Sequence, residues 1–482
     1  MNNKANNDSY LPKCPTGIKG LDELTKGGIP YQRTTLVAGG PGCGKTVFSM
    51  EFLVMGIVEF DEPAVFLSFE EDLDNLVTNF NSMDFDLKSH IDNGKLYIDH
   101  IDTTNAEVTE TGDFSLDPIF LRLEYAIQQT GAKRVVIDTI ETIFSSLSNA
   151  RTLRIEIKRL FKWLQDKKIT AIVTGEQGSN SITRQGLEEY VSDCVILLDH
   201  RVVDQISKRR LRVVKYRGTA HVADESPFII DYDGIKVIPV TSLKLEHTAL
   251  KERVSTGIPD LDNMMDNKGF YRASSILISG TSGTGKSSMA SLFANSACTN
   301  GEKCLYFSFE ESVDQICRNM GSIGMDLRQH INNELLHVIS ERTSTLGLEE
   351  HLSKILQMIK KVKPDVLVMD PISNFFTVGK GIEIKAMLTR LLDYLKEKEI
   401  TGYFTNLSDP DISTEQTNTA ISSIMDTWLI LHDHFYKNEK RRLFYLLKAR
   451  GMKHAQEIKE MVINDNGIQL KDPDFEVDME KK

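Results

Sequence analysis

The chain has 482 residues, with 69 acidic side chains against 57 basic ones and a formal net charge of −12. That balance supplies no overall basic field for nucleic acid or an anionic membrane, and no apolar run reaches membrane-spanning length. The length suits two domains of ordinary size, each with its own core.

Taken in order, Met1 to Tyr10 is polar and asparagine-rich with no signal-peptide core, so residues 1–13 read as a frayed tail on a cytoplasmic protein. Short β-branched runs then alternate with amphipathic stretches, which is the pattern of an α/β domain with a mainly parallel sheet flanked by helices. In a first domain over 14–240, strands are expected at 34–38, 64–69, 134–138, 170–175 and 194–198, and helices at 45–59, 117–130 and 150–166. A polar connector over 241–254 carries Lys244, Glu246, Lys251, Glu252 and Arg253. A second domain over 255–471 repeats the pattern, with strands near 275–279, 303–309, 365–370, 401–405 and 427–431. Residues 472–482 form a short acidic tail.

Two segments carry the same phosphate-binding signature: Gly39-Gly40-Pro41-Gly42-Cys43-Gly44-Lys45-Thr46 and Gly280-Thr281-Ser282-Gly283-Thr284-Gly285-Lys286-Ser287. Both fit G-x-x-x-x-G-K-[ST], in which glycines let backbone N–H groups point at phosphate oxygens, the lysine reaches the β/γ-phosphates and the hydroxyl ligates Mg²⁺. Each follows an apolar run and precedes a helix-compatible stretch, whose N-terminus favours anions. ATP contacts are therefore expected from Gly42, Cys43, Gly44, Lys45 and Thr46, and from Gly283, Thr284, Gly285, Lys286 and Ser287.

The duplication extends beyond these loops. Thr16-Gly17-Ile18 recurs as Thr256-Gly257-Ile258, and Phe66-Leu67-Ser68-Phe69-Glu70-Glu71 as Tyr306-Phe307-Ser308-Phe309-Glu310-Glu311. Val135-Val136-Ile137-Asp138 returns as Leu367-Val368-Met369-Asp370, and Lys215-Tyr216-Arg217-Gly218 as Lys448-Ala449-Arg450-Gly451. A period this long marks a duplicated domain and not a solenoid. Asp138 and Asp370, at strand ends, suit a Mg²⁺ that keeps several waters and takes one or two carboxylates plus phosphate oxygens. The pairs Glu70-Glu71 and Glu310-Glu311 can each supply one carboxylate to orient water at the γ-phosphate and one to support it.

Other residues carry less. The six cysteines include no C-x-x-C pair and read as reduced thiols, Cys43 as a small filler of the first loop. His432-Asp433-His434 lacks a third ligand at usable spacing and reads as structural, as do Trp163 and Trp428.

With these motifs in place, the chain resembles the KaiC family, double-domain RecA-like P-loop NTPases of bacterial circadian clocks, over about Pro15 to Lys471. The resemblance implies a two-tiered homohexamer with ATP at subunit interfaces. It implies that Glu70 and Glu71 activate water for hydrolysis, and that Lys215 and Arg217, like Lys448 and Arg450 in the second ring, reach a neighbour's phosphates. It also singles out one difference between the halves. Aligning Asp193-Cys194-Val195 with Asp426-Thr427-Trp428 sets Glu189-Tyr190 opposite Ser422-Ser423, and in the family this pair is the autophosphorylation site. By position Glu310 then takes the hydroxyl proton while Lys286 and Mg²⁺ hold the γ-phosphate; Thr417 matches a third family hydroxyl.

Departures matter too. The short tail after Lys471 puts recruitment of a KaiA-like activator in doubt, and Thr377 stands where cyanobacterial members usually carry an arginine, which together suggest a member from outside that group. A KaiB-like partner for the first ring fits the resemblance. The competing reading is a DNA-dependent recombination or repair motor of the RecA or RadA type, which shares the fold; the acidic balance, the lack of an added DNA-binding module and the Ser-Ser pair weigh against it.

Overall fold

The computed structural model describes residues 11–101, 116–144, 150–178, 182–183, 192–203, 206–238, 250–408, 419–465 and 467–475. The chain divides into two compact units, Met1–Ser242 and Leu243–Lys482.

In the first unit the principal elements are β1 (Thr34–Gly39), α1 (Lys45–Phe60), β2 (Ala64–Ser68), α2 (Leu73–Asn81), β3 (Leu96–His100), α3 (Asp117–Thr130), β4 (Arg134–Asp138), α4 (Ala150–Asp166), β5 (Thr170–Glu176), β6 (Cys194–Val203), β7 (Ile206–Tyr216), β8 (Ser226–Asp231) and β9 (Gly234–Val237). They build a nine-stranded sheet in the order β9-β8-β7-β6-β1-β5-β4-β2-β3. Pairings from β6 through β1, β5, β4 and β2 to β3 are parallel, while β7, β8 and β9 add on antiparallel.

The second unit repeats this with β10 (Ser275–Gly280), α5 (Lys286–Thr299), β11 (Cys304–Ser308), α6 (Val313–Gly321), β12 (Leu336–Ser340), α7 (Leu348–Val362), β13 (Val366–Asp370), α8 (Gly381–Glu397), β14 (Thr401–Leu407), α9 (Thr419–Ser422), β15 (Thr427–Tyr436), β16 (Glu439–Ala449), β17 (Lys459–Asn464) and β18 (Gly467–Lys471). Its order, β12-β11-β13-β14-β10-β15-β16-β17-β18, is that of the first sheet.

The central strands form because runs such as Thr34–Gly39 and Val366–Asp370 are buried at every position, as a parallel strand covered on both faces must be. In the first unit one face packs Phe48, Phe52 and Phe66, the other Leu123, Ile157 and Leu160. Burying each large side chain is worth about 2–3 kcal/mol. The ends of β1 and β10, the middle strands, release the chain into the phosphate loops, so each loop lies at the carboxyl edge of its sheet, where α/β folds bind ligands.

The expected strands and helices are present within a residue or two where the pattern was apolar, though β6 and β15 run on to Val203 and Tyr436. Not expected were β3 and β12, which are short and half-polar, or that the strands leading into Lys215-Tyr216-Arg217-Gly218 and Lys448-Ala449-Arg450-Gly451 begin as far back as Ile206 and Glu439 and run antiparallel. The strand from Ile206 alternates charged and apolar residues over Arg210-Leu211-Arg212-Val213, with Leu211 and Val213 buried and the arginines half-buried on the other face. Arg253 does not lie in a free connector: Arg253–Val254 pairs with Phe270–Tyr271, and its guanidinium sits 4.1 Å from the Tyr271 ring centroid. Residues 1–10, 239–249 and 476–482, which include parts of the expected tails and connector, lie outside the described residues.

One buried acid ties the phosphate-loop helix to the sheet edge. Glu51 on α1 accepts from the Ile235 N–H at 2.7 Å, and burial raises its pKa to about 8. A side chain at Gly234, whose φ is +102°, would come within 2.6 Å of the Glu51 carboxyl carbon, which excludes anything but glycine there. Because the folded-state pKa lies above the unfolded one, the stabilisation is full below about pH 4.5 and is lost as pH rises to about 8. Glu51→Gln keeps the acceptor and cannot ionise. It is expected to raise the first calorimetric transition by several degrees at pH 8 and by less at pH 5; an equal shift at both pH values would contradict the assignment.

Candidate functional site

Each phosphate loop is shaped by two glycines in the left-handed region: Gly42 and Gly44 have φ of 68° and 102°, and Gly283 and Gly285 have 80° and 102°. No heavy atom lies within 4 Å of where a Cβ would stand at Gly40, Gly42 or Gly283, so the loop faces open space. Gly44 and Gly285 are the last residues before α1 and α5, so the loop N–H groups and the helix N-terminus converge. The lysines fold back over their loops: Lys45 Nζ donates to the carbonyls of Gly39 (2.9 Å) and Gly40 (3.2 Å), and Lys286 Nζ to that of Thr281 (2.6 Å). Burial lowers the Lys286 pKa to about 8, against the pull of Asp370 and Glu310. An arriving triphosphate would stabilise its charged form.

The strand-end aspartates meet these loops. Asp138 is buried, which raises its pKa, and accepts from Thr46 Oγ1 at 2.8 Å and from Thr174 on β5. Asp370 accepts from Thr405 on β14 and, at 2.8 Å, from the buried hydroxyl of Tyr306. In the first unit Phe66 stands at the Tyr306 position, and the carboxylate reaches the loop threonine instead. Among the described residues no group of three or more histidines, cysteines or acids could cage a metal. One carboxylate beside one loop hydroxyl fits Mg²⁺ completed by water and phosphate oxygens, not a protein-only site.

The glutamate pairs split into two roles by geometry. Glu71 accepts from Asn79 Nδ2 and Glu311 from Asn319 Nδ2, both at 2.9 Å, while Ser68 and Ser308 close the turn onto the same residues. Burial, then Asp370 and Glu310, push the Glu311 pKa up. Glu70 and Glu310 are exposed beside them; Thr139 Oγ1 donates to Glu70 at 3.3 Å. The second site is a cavity of about 530 Å³ that brings together Gly283, Gly285, Lys286, Ser287, Glu310, Glu311 and Asp370.

That cavity also holds Asn319, Ile323 and Arg442, which sequence reasoning missed. Arg442 Nε has no hydrogen-bond partner among the described residues. The recurrence of Asn79 as Asn319, eight residues after the second glutamate in each half, was a usable signal. Cys43 and Thr284 lie beneath their loops, fully buried, and burial raises the Cys43 pKa, as a packing residue requires. The Asp433 carboxylate binds Lys440 and Thr281, and His434 stacks on Phe475.

The lysine–arginine pairs sit where β7 and β16 end, beside Gly218 and Gly451 with φ of 79° and 71°. Arg217 lies 3.8 Å from Asp193. Lys448 Nζ donates to the carbonyls of Ser422 (2.9 Å) and Met425 (2.7 Å), and Arg450 to that of Ser423 (2.8 Å). Ser422 is buried and Ser423 exposed. Thr417, Glu189 and Tyr190 lie outside the described residues.

The family described as "ATPase: KaiC" matches residues 14–242 and again 254–474. The chain is similar to the circadian clock protein KaiC2 of Synechocystis, 47% identical over 462 residues that cover 95% of this chain and 81% of that one. It is 36% identical to the circadian clock oscillator protein KaiC of Synechococcus elongatus over 98% of this chain and 92% of that one. The KaiC of Parathermosynechococcus lividus is also 36% identical, over 96% and 86%.

If the two loops are independent sites, Lys45→Ala and Lys286→Ala should each remove one of two bound nucleotides per chain, weakening that site about 100-fold or more. Equilibrium binding of labelled ATP to each variant measures this; loss of both sites from one substitution would contradict it.

Proposed function

Because the chain belongs to the KaiC family of ATPases, we propose that it is an ATP-hydrolysing homohexamer whose second ring phosphorylates Ser422, Ser423 or both. The observation that carries this reading is the repeated constellation of loop lysine, strand-end aspartate and asparagine-braced glutamate pair, with a hydroxyl pair next to the cationic strand end in the second unit, where the first-unit sequence has Glu189-Tyr190.

In this reading Lys45 and Lys286 hold the β/γ-phosphates, with backbone N–H groups from Gly42 to Thr46 and from Gly283 to Ser287 around them. Thr46 with Asp138, and Ser287 with Asp370, hold Mg²⁺, which when bound neutralises charge developing on the phosphates. Glu71 and Glu311 brace the turn through Asn79 and Asn319; Glu70 and Glu310, exposed at the site, take the proton. In the first ring Glu70 draws that proton from water. In the second Glu310 draws it from a serine Oγ of the neighbouring subunit. The Oγ–P bond forms as the bond from phosphorus to the bridging oxygen breaks, leaving phosphoserine and ADP.

Lys215 and Arg217, and Lys448 and Arg450, are the groups that reach a neighbour's phosphates. For the second pair this means exchanging the carbonyls of Ser422, Ser423 and Met425 for phosphate oxygens. Each phosphate adds about −1.5 to −2 charges, which alters how the second ring packs and what it presents to a KaiB-like partner. No helix among the described residues is long and apolar enough to cross a membrane.

Mass spectrometry after incubation with Mg-ATP tests the reading. Phosphate is expected at Ser422 or Ser423, absent from the doubly alanine-substituted chain and slowed about 10²- to 10⁴-fold by Glu310→Gln with ATP still bound. Wild-type chain that hydrolyses ATP but gains no phosphate at either serine would reduce the protein to an ATPase.

A further inference from the structure

The turn that carries Ser423 is held by an unusual set of cations. After α9 it is closed by backbone bonds from Ile424 N to Ile421 O (3.1 Å) and from Met425 N to Ser422 O (3.3 Å). Lys448 and Arg450 spend their charge on carbonyls of this turn, groups that carry only partial negative charge. Lys396 on α8 pairs at 3.1 Å with the Asp426 carboxylate, one residue beyond the turn. The crowding shows in Lys448, whose pKa is lowered first by burial and next by Arg450, with Lys396 adding to the effect against Asp426.

A further cation, Lys385 on α8, is aimed at the serine side chain itself. Its Nζ donates to Ser423 Oγ at 3.2 Å, across 38 residues of sequence. A neutral hydroxyl gains little from an ammonium at that distance, but a phosphate on the same oxygen offers three acceptors and close to two charges. Lys385 is half-buried and lies in the second turn of α8, on the same helix as Lys396, so the donor is positioned by secondary structure and not by a loop.

We infer that Lys385 is the receiving cation for a phosphate on Ser423, clamping the modified side chain to α8 within its own subunit. The clamp rests on the autokinase reading only for how the phosphate arrives. A phosphorylated Ser423 replaces the single ammonium–hydroxyl bond from Lys385 by an ion pair with several acceptor oxygens, and so ties the acceptor turn to α8.

The test uses the full chain with phosphoserine installed at 423 during synthesis, so that autokinase activity is not needed. Two readouts are followed in otherwise wild-type, Lys385→Met and Lys385→Arg backgrounds: hydrogen exchange of peptides from 381–397, and the rate at which an added broad-specificity phosphatase removes the group. The expected result is slower exchange of α8 on phosphorylation and phosphate removal about tenfold slower with Lys385 than with methionine, arginine restoring most of both. Equal removal rates, and an α8 response unchanged by Lys385→Met, would overturn the clamp. Absence of phosphate on the natural chain after Mg-ATP would instead overturn the autokinase reading and leave the clamp standing on its own measurement.

Discussion

The constraint on which both nucleotide sites depend is a buried carboxylate at the end of a central strand. Asp138 and Asp370 are each less than one-tenth exposed, and a charged group so buried must be compensated by hydrogen bonds. Thr174 and Thr405, from the neighbouring strand, supply one donor each. The carboxylate therefore stitches two parallel strands together at the edge where the phosphate loop leaves a third. A loop lysine lies in its field in each unit, Lys45 beside Asp138 and Lys286 beside Asp370.

The second donor is where the two halves part. In the first unit it is Thr46 of the phosphate loop, so carboxylate and loop are locked to each other before any ligand arrives. In the second it is Tyr306, fully buried one strand away, and among the described residues no hydrogen bond joins Ser287 to Asp370. One duplicated architecture thus holds its strand-end aspartate in two ways. At the strand ends, Arg217 lies near the Asp193 carboxylate, and Lys448 and Arg450 donate to carbonyls of the turn that bears the serines. Small substitutions on a common frame thus give the two units different hydrogen bonding around the same strand-end aspartate.

Much of this was legible from the sequence, and for physical reasons. A run such as Val135-Val136-Ile137-Asp138 has one stable place, a strand buried on both faces, and the G-K-[ST] loops require a turn that only their glycines allow. What escaped notice depends on neighbours distant in sequence. The basic run from Lys208 to Arg212 looks like a solvated segment until a strand pairs with it. Asn79 and Asn319 look like ordinary polar residues of amphipathic helices until the turn brings a glutamate alongside. Lys385 and Ser423 are joined only by the packing of α8 against the turn that leads into β15. Arg442 declares itself only through the cavity it lines.

The central claim is that the second ring transfers phosphate between subunits, and a mixing experiment addresses it most directly. Chains carrying Lys286→Ala, which keep both serines, are combined with chains carrying Ser422→Ala and Ser423→Ala, which keep the second nucleotide site, and the mixture is given Mg-ATP. The account predicts phosphate on the serines of the Lys286→Ala chains in the mixture and none on either variant alone. Labelling that never appears in the mixture, while unmixed wild-type chains are labelled, would contradict transfer across the interface.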